Sequence, residues 1–195
     1  MGKIKSSWII IAVVVIACLW GMSAYNHMVS EEENVKTAWG QVENQYQRRS
    51  DLIPNQVSVV KGYAKHEQET LEGVVKARAE ATKTTIDPTN ITEEQLQKFQ
   101  SAQGGLSDAL SKLMVVVERY PDLKANQNFL ELQAQLEGTE NRIAVARKRF
   151  NEAAQTYNTY IRRMPQNIFA GIFGFKAKPY FSAEAGAEKA PKVEF

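Results

Sequence analysis

This chain of 195 residues is short of the side chains that do chemistry, with one cysteine and two histidines. One cysteine excludes an internal disulfide, and its place in an apolar run makes it a poor nucleophile. The histidines do not fit zinc or di-iron spacing. His66-Glu67 begins an HExxH pattern, but Thr70 stands where the second histidine is needed, and Ala24 and Tyr63 stand where a Glu-x-x-His pair needs glutamate. Gly104-Gly105 has no Lys-Ser/Thr after it, so it is no phosphate loop. Charge of one sign is missing too. The net charge of +2 disappears once Lys3 and Lys5 are set aside, and the neutral remainder lacks the electrostatic footprint of a nucleic-acid binder. No segment alternates with period two for long enough to make a sheet, so the fold class is all-α. These absences speak against an enzyme and predict no catalytic residue, metal ligand or cofactor.

What the chain does have begins at its front. SSWIIIAVVVIACLWGMSAY, from Ser6 to Tyr25, carries no charge and matches the ~20 apolar residues that a membrane-crossing helix needs. Trp8, Ile9, Ile10, Val14, Ile16, Leu19, Trp20 and Tyr25 are the expected membrane anchor, with the aromatics at its two edges where interfacial belts form. Two rival readings are a cleavable secretory signal and a lipoprotein signal ending at Cys18. The residues after Cys18 stay apolar through Met22, which favours an intact span. Lys3 and Lys5 before it and Glu31, Glu32 and Glu33 after it predict a single-pass protein of the bacterial inner membrane, its N-terminus in the cytoplasm and its bulk outside.

Beyond the span, helical stripes repeat at three- and four-residue spacing. Val35, Trp39, Val42 and Tyr46 form the first; Val57, Val60, Ala64, Glu67, Leu71, Val74 and Arg78 form a second, after Pro54. Arg49, Asp51, Pro54 and Asn55 are read as a hairpin signature, since proline removes a donor and disfavours helix at the residue before it. A kink is the other reading. TKTTIDPTN closes the second helix, and Thr92 to Gln95 is a capping box opening the third. Leu96, Phe99, Gln103, Leu106, Leu110, Leu113, Val117 and Tyr120 stripe that helix, with Gly104-Gly105 marking a close crossing or a bend. A fourth, from about Asn126 to Met164, carries Phe129, Leu132, Leu136, Thr139, Ile143, Ala146, Phe150, Ala153, Tyr157 and Tyr160. The expected architecture is an anchor (1–25), an up-and-down antiparallel four-helix bundle (26–165) and an irregular aromatic tail (166–195). Glu67, Arg78, Glu140 and Arg142 are the expected polar core network, because buried charges need partners.

With these landmarks in place, the chain resembles the LemA family of bacterial membrane proteins. The resemblance is carried by YNHMV after the span, QRRSDLIPNQV at the proline, YAKHEQETLEGVVKARA, and the long run from ERYPDLK to NIFAGIFGF. Gln56 and Phe150 depart from it, where the family usually has an apolar residue and often a tyrosine. The resemblance implies a helical bundle behind an anchor and supplies no catalytic residues. Family genes often lie near those for membrane proteases or TPM-domain membrane proteins, which makes such a protein an alternative partner.

The tail decides the functional expectation. A hairpin at Pro54 brings the fourth helix back to the bilayer and lays Ile168, Phe169, Ile172, Phe173 and Phe175 on lipid, flanked by Arg162, Arg163, Lys176 and Lys178. A kink sends the tail far from the membrane, onto another protein. The fourth helix also outruns the first beyond the span, and its overhang invites a second copy. The hairpin is the reading adopted here. It predicts a non-enzymatic membrane-anchored scaffold that contacts lipids and forms a homo-oligomer. An adaptor for a protease or TPM-domain protein is the alternative, and an enzyme is remote.

Overall fold

The structure is a computed structural model that describes residues 6–182. Lys3, Lys5 and the tail beyond Ser182 lie outside the described residues. Six helices follow in order: α1 (Ser6–Tyr63), α2 (Gln68–Lys83), α3 (Glu93–Val117), α4 (Pro121–Lys124), α5 (Gln127–Arg162) and α6 (Gln166–Phe173). No strand occurs among the described residues, and the fold is all-α. It divides into two compact units to which α1 and α5 both contribute residues.

The first unit holds residues up to Arg48, the short stretch Pro88–Asn90, and Thr139–Lys178. Here α1 and α5 run antiparallel, since His27 packs on Tyr160 and, further along α1, Trp39 packs edge-on against Phe150. Val35, Trp39, Val42 and Tyr46 are buried as their spacing predicts. On α5 the buried face is Phe150, Ala154, Tyr157 and Ile161. The strict heptad through Ala153 and Tyr160 drifts off this face, because a straight helix repeats every 3.6 residues.

The second unit corrects the hairpin. α1 passes through Pro54 without a break and turns back only after Tyr63. Proline in a helix interior costs about 3 kcal/mol, partly because the carbonyl four residues earlier loses its donor. That carbonyl belongs to Ser50, and it accepts instead from Arg78 Nε on α2 at 2.7 Å. Next to it Ser50 Oγ and Thr82 Oγ1 are 3.0 Å apart. Arg49 is buried, donating through Nη1 to Ser107 Oγ at 3.2 Å and through Nη2 to the Gln103 carbonyl at 3.3 Å and to Gln103 Oε1. Gln103 Nε2 donates to the Ala81 carbonyl. Of the hairpin residues only Arg49 fastens the continuous helix, to α3, with its neighbour Ser50 joining α2, while Asp51, Pro54 and Asn55 face outward.

Chain reversal occurs at Ala64–Glu67. Glu67 sits just ahead of α2 and accepts from Arg119 Nη2 at 3.1 Å and from the Tyr120 hydroxyl at 3.2 Å. Tyr63 Oη accepts from Asn126 Nδ2 at 2.9 Å. The stripe Val60, Ala64, Leu71 and Val74 is buried as expected, but two helices carry it. α3 opens with the capping box, both bonds between Thr92 and Gln95 being present. A Cβ added at Gly104 or Gly105 would meet nothing within 4 Å, so neither marks a close crossing.

The expected lengths change with the corner. Beyond Tyr25, α1 continues to Tyr63 for about 57 Å at 1.5 Å per residue, about the length of α5. Of the expected polar core residues, Glu67 and Arg78 belong to the second unit and use the partners named above, and Glu140 and Arg142 belong to the first.

Candidate functional site: the α1–α6 platform

The distinctive surface of the first unit is where the end of the span meets α6. α5 stops at Arg162, ahead of Pro165, and Pro165 caps α6. The tail therefore opens as a helix, not as irregular chain. It ends at Gly174, whose φ of 78° is a left-handed conformation that glycine adopts without the strain other residues incur. The Phe175 N–H closes this cap on the Ala170 carbonyl at 3.0 Å.

Phe169 points inward and lies over Gly21. A Cβ at Gly21 would stand 3.0 Å from Phe169 Cε1, so the ring fills the space a larger residue would need. Phe169 also packs edge-on against Trp20 with ring centroids 5.3 Å apart. Tyr25 receives Phe173 at 4.9 Å and Phe175 at 5.7 Å, both edge-on. Edge-to-face aromatic pairs contribute about 0.5–1.5 kcal/mol each beyond the area they bury. Ile168 and Ile172 face away from α1, 54% and 70% exposed. Arg162 and Arg163 are exposed at the corner between α5 and α6.

The anchor residues Trp8, Ile9, Ile10, Val14, Ile16 and Leu19 are all exposed along α1. Uncovered side chains of this kind are costly in water and ordinary in hydrocarbon. Among the described residues α1 is the helix long and apolar enough to cross a membrane.

After α6 the chain runs back as an extended strap that the sequence did not announce. Lys178 was expected to face lipid headgroups beside Lys176, but it is buried, 7% exposed. Its Nζ pairs with Glu32 Oε1 at 2.7 Å and donates to the Thr89 carbonyl at 3.1 Å. Asn158 on α5 holds the strap at the same residue: its Nδ2 donates to the Lys178 carbonyl, and its Oδ1 accepts from the Lys178 N–H, both at 2.8 Å. Tyr157 lies under the ammonium, 5.8 Å from ring centroid to Nζ. Burial first, and then the charge of Glu32, push the Tyr157 phenol above its ordinary range. Asn158 next to the inward Tyr157 was the available signal for this contact; Lys178 gave none, standing like Lys176 in a run without an acid.

No group of three or more histidine, cysteine or acidic side chains is placed to hold a metal ion among the described residues. What the platform presents is aromatic and aliphatic surface with cations beside it. A family model described as the LemA family matches residues 38–195. The chain belongs to the LemA family. It is 30% identical over 181 residues to magnetosome protein MamQ 2 of Paramagnetospirillum magneticum, covering 84% of this chain and 66% of that protein. To MamQ of Magnetospirillum gryphiswaldense it is 30% identical over 174 residues, 80% of this chain and 64% of that one. Protein LemA of Metamycoplasma hominis is 24% identical over 145 residues, 74% and 63% of the two chains. The chain thus spans about two thirds of the length of these relatives. With its apolar N-terminal helix, it is a membrane-associated protein of the LemA type.

Proposed function

We propose that this LemA-type protein is a non-enzymatic scaffold, anchored by a single span in the bacterial inner membrane with its bulk outside the cytoplasm, and that it self-assembles to organise or shape that membrane. The observation that carries the reading is the outward face of α6. Ile168 and Ile172 are exposed on it, with Met164 exposed just ahead of the helix, beside a helix end whose own side chains are also exposed and apolar. An amphipathic helix of this kind gains by burying that face at the bilayer surface or against a second copy.

Native sizing of the full chain, extracted in a mild detergent, tests self-assembly. The expected result is a discrete homo-oligomer that shifts to smaller species in Ile168→Asp with Ile172→Asp, with helical content by circular dichroism unchanged. A monomeric wild type overturns the scaffold and leaves an adaptor for a membrane protease or TPM-domain protein. An oligomer indifferent to both substitutions removes α6 from the contact.

A further inference from the structure

Phe169 and Phe173 do not close onto the span along its length. They roof a groove of about 750 Å³ whose floor is Val14, Ala17, Cys18 and Met22, with Tyr25 and Asn26 at the end where α1 leaves the apolar run. No charged side chain lines it.

Water is a poor occupant for such a surface at membrane depth, which leaves a second helix or an acyl chain. Helices approach one another in membranes through small residues spaced four apart, and Ala17 and Gly21 have that spacing. Gly21 is already taken, because the Phe169 ring lies where a facing helix would have to enter. A flexible acyl chain can follow the space left beside the ring.

Charge flanking α6 selects the headgroup. From Ala153 to Ala183 the sequence holds no acidic residue. Its cations are Arg162 and Arg163 ahead of α6 and Lys176 and Lys178 after it, of which Lys178 is committed to Glu32. Arg162, Arg163 and Lys176 are exposed and have no acidic partner among the described residues. They bracket α6 on both sides and complement an anionic phosphate diester.

The geometry points to a binding site for one anionic phospholipid between α1 and α6. An acyl chain lies along Val14 to Met22 under Phe169 and Phe173, and the phosphate is met by Arg162 and Arg163. This rests on the membrane-anchored part of the reading above and not on self-assembly.

Cys18 is the chain's one cysteine and lies in the groove floor, so its alkylation reports occupancy. The experiment uses full-length protein in mild detergent, with either phosphatidylglycerol or phosphatidylcholine added. Alkylation of Cys18 by N-ethylmaleimide is followed alongside native mass spectrometry of the retained lipid. Phosphatidylglycerol should slow alkylation and be retained as a single adduct about tenfold in preference to phosphatidylcholine, at a few-fold for each arginine near the phosphate. Arg162→Gln with Arg163→Gln should erase the preference, and Ala17→Phe, which fills the groove, should erase the adduct. Equal retention of both lipids, or an adduct that survives Ala17→Phe, overturns the site. Protection of Cys18 that follows protein concentration instead of lipid assigns the groove to a second copy and also overturns it. Flotation with phosphatidylglycerol–phosphatidylcholine vesicles separates the two readings: a chain that floats but shows no selective adduct fails only the lipid site, and one that does not float fails both.

Discussion

At the scale of single residues, the strap shows how a polar cluster can hold a segment that has few apolar contacts of its own. Lys178 is buried because three oxygens meet it: the Glu32 carboxylate and the Thr89 carbonyl at Nζ, and Asn158 Oδ1 at the backbone N–H. Tyr157 stands apart in the same cluster. It is fully buried, and its hydroxyl has no hydrogen-bond partner. A buried hydroxyl without a partner contributes little or costs stability, whereas its ring carries the packing and the contact with the ammonium. Tyr157→Phe should therefore change stability at pH 7 by less than about 1 kcal/mol. The alkaline side should differ. A phenol whose pKa is raised on folding holds its proton more tightly in the folded chain, so its contribution is complete below the ordinary value near 10 and fades as pH climbs above it. Thermal unfolding from pH 7 to 11 should show the wild type losing more stability above pH 10 than Tyr157→Phe; parallel profiles would deny Tyr157 that role.

At the scale of elements, the instructive feature is α1 at Pro54. Sequence chemistry pointed to a corner there, since a helix interior has no local remedy for a missing N–H. The remedy is tertiary. Arg78, twenty-four residues further on, supplies the donor to Ser50, and no pattern around the proline announces it. The true corner at Ala64–Glu67 has no proline, and its nearest glycine is Gly62; its fastening comes from Arg119, Tyr120 and Asn126. What periodicity alone decides was legible: the all-α class, the buried stripes of α1 and α3, the capping box at Thr92 and the apolar N-terminal helix. The strap, the Arg49–Gln103 contact and the fit of Phe169 on Gly21 were not, because each joins residues far apart in sequence. Phe169, Phe173 and Phe175, expected to face lipid, pack on Trp20, Gly21 and Tyr25 of α1 instead.

That account of Pro54 has a measurable consequence. Arg78→Met strips the donor from the Ser50 carbonyl and should cost about 1.5–3 kcal/mol, the range for a hydrogen bond to a charged group. In a Pro54→Ala background, residue 54 regains an N–H that can bond the same carbonyl, so the loss from Arg78→Met should shrink by about 1 kcal/mol or more. Denaturant unfolding of the four proteins closes the cycle. Additive effects would mean that Arg78 stabilises the chain through some other contact.

At the scale of the whole molecule, one span makes a simple topological commitment. Among the described residues α1 is the helix long and apolar enough to cross a bilayer, and the proposed single-pass arrangement puts everything after Tyr25 on one side of it. The proposed side rests on charge. Lysine precedes the span and three glutamates follow it closely, and basic residues are retained on the cytoplasmic face. Lys112 is exposed on α3, well beyond the membrane helix in sequence, and is therefore a fair reporter of the bulk. With Cys18→Ser removing the native thiol, Lys112→Cys should react with a membrane-impermeant maleimide on intact spheroplasts as readily as after lysis. Protection until lysis would place the bulk in the cytoplasm. The scaffold would then work from the inner face of the same membrane, with α6 and its cations against the cytoplasmic leaflet.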